Sequence, residues 1–119
     1  MVFRTVVVLT IALASAAPAS SQEGPPEGLT GTVVVVNKQG NDASFIDLAT
    51  GTVVATAPTG EGPHELVVSP DGRTAVATDY DGGNSLTVFD VAGGRRLRTI
   101  DLAAFPRPHG ISFMPGGEV

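Results

Sequence analysis

The chain of 119 residues contains no cysteine and no tryptophan. Without cysteine there is no disulfide framework, no thiolate metal site and no lipid-bearing N-terminal thiol. Basic residues are few: 7 Lys and Arg face 12 Asp and Glu, for a formal charge of −5. Nucleic-acid binding needs a basic surface to neutralise phosphates, so no nucleic-acid partner is expected. The chain has no Gly-x-Ser-x-Gly nucleophile elbow, phosphate loop or dinucleotide fingerprint, which removes the common sequence signatures of hydrolases and nucleotide enzymes. No 12-residue stretch beyond the N-terminus follows a helical period, so no helix is expected in the folded part. Aromatic residues make up only 5%, whereas there are 15 glycines and 9 prolines. That balance describes short aliphatic strands joined by many turns.

The N-terminus has a different character. Met1 to Arg4 form a short positive region, and Thr5 to Ala17 an apolar run. Small residues follow, with Ala-x-Ala patterns at Ala14–Ala16 and Ala17–Ala19. This layout is that of a cleavable signal peptide over residues 1–19. The run is shorter than the roughly 20 apolar residues a spanning helix needs, so no membrane span is expected after cleavage. Residues 20–31 are rich in Pro, Gly and polar side chains and read as a flexible leader. The expected location is outside the cytoplasm, either periplasmic or extracellular.

From Thr32 the chain repeats itself. Asp47 and Asp90 are 43 residues apart, as are Gly51 and Gly94. Pro63-His64 recurs 45 residues later as Pro108-His109. A period in this range with four strand signals per unit is the signature of a propeller blade. Naming blade strands A to D from the inside outward, the complete copy has A at Glu65–Val68, B at Thr74–Thr78, C at Ser85–Phe89 and D at Arg95–Ile100. Before it come B (Thr32–Val36), C (Ala43–Ile46) and D (Thr52–Ala57). A lone A, Gly110–Phe113, follows. The expected fold class is all-β, with residues 32–119 forming about two blades of four-stranded antiparallel sheet in the order BCD–ABCD–A. Closed rings have four to eight blades. The expectation is therefore a part of a longer propeller, the other reading being self-association through open blade edges.

These residues resemble the YVTN-type β-propeller repeats of YncE-like and surface-layer-like exported proteins. The resemblance rests on Asn84-Ser-Leu-Thr-Val-Phe-Asp90, on Asp47-Leu-Ala-Thr-Gly51, and on the segment Gly60 to Arg73 with its Ser69-Pro70-Asp71-Gly72 turn. It departs at Met114-Pro-Gly-Gly117 and at Phe105-Pro-Arg-Pro108. Relatives that look like this chain include binding propellers, sugar-lactone hydrolases and a haem-carrying propeller. The resemblance therefore implies the fold and does not select an activity.

His64 and His109 are the only histidines, and both directly follow a Pro at the entrance to an A strand. Those loops share one end of a propeller, so both imidazoles are candidate ligand-binding groups there. The bland alternative is a repeat residue that closes a loop. Asp79 and Asp81 lie in an oxygen-rich loop with Gly82, Gly83 and Asn84. They are the other ligand-binding candidates, set against ordinary turn formers. Asp47 and Asp90 are expected to bond turn amides. No catalytic residue stands out. The reading is a non-catalytic binding module whose loop end contacts a protein, glycan or small ligand. No cofactor is expected. The alternative is a fragment of a lactonase-like hydrolase or haem-linked oxidoreductase, with the histidine pair holding haem or a divalent metal.

Overall fold

A computed structural model of the chain describes residue 24 and residues 26–117. The predicted signal peptide and leader residues 20–23 and 25 lie outside the described residues. Seven strands are present among those described, with no helix. The first sheet holds β1 (Thr32–Asn37), β2 (Asp42–Asp47) and β3 (Thr52–Pro58); the second holds β4 (Pro63–Val68), β5 (Thr74–Asp79), β6 (Ser85–Asp90) and β7 (Arg95–Asp101). Every pairing is antiparallel between sequence neighbours. These are the expected BCD and ABCD sheets, extended by up to two residues at their ends. The segment Gly110–Phe113 differs: it carries no strand. A strand requires a hydrogen-bonded neighbour, and none of the described residues pairs with it.

Turn chemistry sets the hairpins. Gly72 donates its amide to the Ser69 carbonyl at 2.8 Å, while the Asp71 carboxylate accepts from the Ser69 hydroxyl at 2.6 Å and the Arg73 amide at 3.0 Å. Those bonds, the Ser69 hydroxyl first, hold the Asp71 carboxyl below its ordinary value. Between the C and D strands, Asp47 accepts from the Thr50 amide at 2.9 Å and Asp90 from the Gly93 amide at 3.2 Å. Each outer strand carries a register shift at the same repeat position, beside Val54 in β3 and Leu97 in β7. Such bulges twist an outer edge away from straight pairing.

The core lies between the sheets. Consecutive residues of a strand point to opposite faces, so each blade presents one face forward and one back. Phe45 of β2 faces forward and Phe89 of β6 faces back, and their rings meet edge-on with centroids 5.7 Å apart. Both are 0% exposed, packed with Ala43, Ala57, Ala75, Ala77 and Val91. Small alanines let two sheets with few aromatics approach closely. Val76, Leu86, Val88 and Ile100 of the second blade correspond by repeat to Val34, Ala43, Phe45 and Ala57 of the first. They line an open cleft of about 790 Å³ with Phe113. On this second face Val76 and Val88 are buried and Leu86 and Ile100 half-buried, but no further sheet lies against it among the described residues.

Gly94 lies at this close approach. Its φ is +58°, and a Cβ there would stand 2.5 Å from the Ala55 methyl. Gly94→Ala combines left-handed strain of about 1–2 kcal/mol with a steric collision between the blades. Its thermal midpoint should fall well below that of Gly72→Ala. Gly72 has φ +73° with open space around it, so it isolates the strain alone. Equal midpoints in the two variants would show that the blades are not in contact at Ala55.

Candidate functional site

At one end of the blades the connecting loops converge. Gly62 donates its amide to the Asn41 side chain at 2.8 Å, tying the loop between the sheets to the first B–C loop. The Tyr80 and Asp81 amides both donate to the Gly62 carbonyl at 3.1 Å. The Arg107 amide donates to the Gly83 carbonyl at 3.1 Å. Four chain segments distant in sequence are thereby fixed to one another by backbone amides and the Asn41 side chain.

These segments deliver a compact side-chain cluster. The imidazoles of His64 and His109 have centroids 4.7 Å apart and are tilted by 40°. The Tyr80 ring lies 5.1 Å from His64 and 5.0 Å from His109. Arg107 sits over the Tyr80 ring at 4.7 Å and donates to its hydroxyl at 2.8 Å. Lys38 pairs with Asp81 at 3.2 Å and lies 5.9 Å from the Tyr80 ring centre. His109 Nδ1 is 3.2 Å from Glu65 Oε1. The cluster is open to solvent: the His109 and Glu65 side chains are 55% and 36% exposed.

A backbone irregularity brings His64 and Glu65 together. In a regular strand, neighbours point to opposite faces. Between Pro63 and Leu66 the register of β4 against β5 shifts. Pro63 lies opposite Asp79 and Leu66 opposite Ala77, so β4 carries one extra residue. The Glu65 amide turns to the Thr78 hydroxyl at 3.1 Å instead of joining the ladder. Bulges of this kind re-aim side chains beside functional sites.

Of the four sequence candidates, His64 and His109 come together, and Asp81 lies at the edge through Lys38. Asp79 is placed elsewhere. It is 0% exposed, and its carboxylate accepts from the Ser85 hydroxyl at 2.6 Å and the Thr87 hydroxyl at 2.9 Å. Its repeat counterpart Asn37 does the same work in the first blade, donating to Asp42 at 2.6 Å and Ser44 at 2.8 Å. Asp79 thus pins the B–C hairpin and does not face the cluster. Glu65, Tyr80, Lys38 and Arg107 also lie in the cluster, and sequence reasoning did not single them out. The sole signal for Tyr80 was that it is the only tyrosine in the chain.

Comparison with known proteins agrees with the architecture. A family model described as YNCE-like beta-propeller matches residues 9–115, beginning inside the predicted signal peptide. Among solved structures, the chain is similar to Kuenenia stuttgartiensis hydrazine synthase, with a TM-score of 0.67 and 23% identity. That likeness covers 72% of this chain and 24% of the other, so it spans about a quarter of that protein's chain and concerns the fold alone. No curated protein matches.

Proposed function

The chain belongs to the YNCE-like β-propeller family, and from that premise we propose that it is an exported, non-catalytic binding module whose loop end holds a ligand or partner at His64, Tyr80 and His109. One observation carries this reading. Aromatic and charged side chains from four loops meet at a solvent-open place, where structural packing does not require them. Rings held by backbone ties are preorganised, which lowers the ordering cost of binding. Fold alone does not select an activity, so the assignment rests on the site. Export is supported by the N-terminal sequence pattern. The open apolar cleft on the second blade, lined by Leu86, Val88 and Ile100, supports a larger ring in which a further blade lies against it.

The chain has one tyrosine and no tryptophan, so its tyrosine emission reports on Tyr80. A panel of divalent cations, short peptides and oligosaccharides is titrated while that emission is followed, and amide shifts are mapped by NMR. Saturable binding with shifts confined to residues 38–41, 62–65, 79–84 and 107–109 is the expected result. Shifts confined to the opposite end of the sheets, or no response across the panel, would sink the reading.

A further inference from the structure

We infer that His64, Glu65 and His109 form a three-ligand site for a divalent transition-metal ion, with open positions on the ion for a bound molecule. This deepens the binding reading and rests on it. One ligand atom from each residue lies within 4.8 Å of the others. Ligand atoms around a tetrahedral ion with bonds of about 2.0–2.2 Å stand about 3.3–3.6 Å apart. His109 Nδ1 and Glu65 Oε1 are already 3.2 Å apart. His64 is exposed, so its imidazole can turn by the roughly 1–1.5 Å that closure needs.

The donor set selects the ion. Two imidazoles and one carboxylate suit Zn²⁺, Cu²⁺, Ni²⁺ or Fe²⁺, whereas Ca²⁺ and Mg²⁺ prefer an all-oxygen shell. Three protein ligands leave at least one position free. The Arg107 guanidinium lies over the Tyr80 ring beside the histidines, so an anionic donor suits that position. The placement of the ligands is built into the backbone. The register shift in β4 is what lets consecutive His64 and Glu65 serve one centre, and the tie between Arg107 and Gly83 brings the loop with His109 across to meet them.

The test uses the full chain, stripped with a chelator, then titrated with Zn²⁺ by calorimetry and with Co²⁺ by visible absorption. One ion per chain is expected, with Co²⁺ absorption typical of nitrogen and oxygen ligands. Binding should weaken on acidification, because only neutral imidazoles coordinate. Changing residues outside the ligand shell of a metal site costs about 10–100-fold in affinity, so His64→Ala and His109→Ala should each cost at least that. Glu65→Gln should also weaken binding, and Asp47→Asn, in a C–D turn outside the cluster, should leave it unchanged. Circular dichroism confirms that each variant keeps its sheets. No binding, or equal affinity in the double histidine variant, overturns the metal site. If peptide or saccharide shifts still map to these loops, only the metal inference falls and the binding reading stands.

Discussion

Phe89→Ala should lower the stability of the two-blade unit by about 3–5 kcal/mol, the usual cost of truncating a fully buried phenylalanine. Phe89 is 0% exposed and its ring meets Phe45 edge-on at 5.7 Å. The substitution removes that pair and leaves a void lined mainly by alanine methyl groups, which are too short to fill it. Small domains have only about 5–15 kcal/mol in total, so urea unfolding should begin at much lower denaturant. The informative control is Ile46→Ala. Ile46 holds the same repeat position in the first blade but faces away from the second, and it is only half-buried. Its truncation should cost no more than about half as much, in keeping with the smaller area removed from water. Equal costs would mean that the two blades do not pack through Phe45 and Phe89.

The second large effect concerns Asp79. Asp79→Ala leaves the buried Thr87 hydroxyl without its acceptor and also strips Ser85 of its partner. Leaving a buried polar group unmatched costs about 1–3 kcal/mol, and here two donors share one acceptor. Asp79→Asn should restore most of the loss, because Asn37 already fills this position in the first blade with Asp42 and Ser44 as partners. Thermal unfolding of the three proteins checks the order: wild type and Asn together, Ala well below. An Ala variant as stable as wild type would contradict the pinning role. The same experiment separates Asp79 from the site, since Asp79→Asn should leave Zn²⁺ binding unchanged.

The fold could be read from the sequence because its determinants are local. Alternating aliphatic residues, Asp-capped turns and a positive-φ glycine recur every 43 residues at Gly51 and Gly94, and each acts within one hairpin. The A strand expected at Gly110–Phe113 was not formed, because a strand is made by its partner as well as by its own residues. The site was only half legible. His64 and His109 stood out as a repeated pair, and equivalent loop positions share one end of a propeller. Glu65 was hidden, because strand alternation sends it away from His64 and only the register shift in β4 reverses that. Tyr80 and Arg107 were hidden for a different reason. Their pairing spans 27 residues and depends on how the loops close over one another. Asp79 was misleading in the opposite sense. Among neighbouring Asp and Gly residues it reads as part of an open loop, yet it is the last residue of β5 and points inward to two hydroxyls.

The most direct test of the convergent site is a proton NMR measurement of contacts between aromatic rings. The chain has one tyrosine and two histidines, so the signals are few enough to assign with His64→Ala and His109→Ala. Nuclear Overhauser cross-peaks are expected from the Tyr80 ring to both imidazoles, alongside those between Phe45 and Phe89 that report an intact core. Core cross-peaks without any between Tyr80 and either histidine would contradict the account, because the blades would then be folded and the site would not exist.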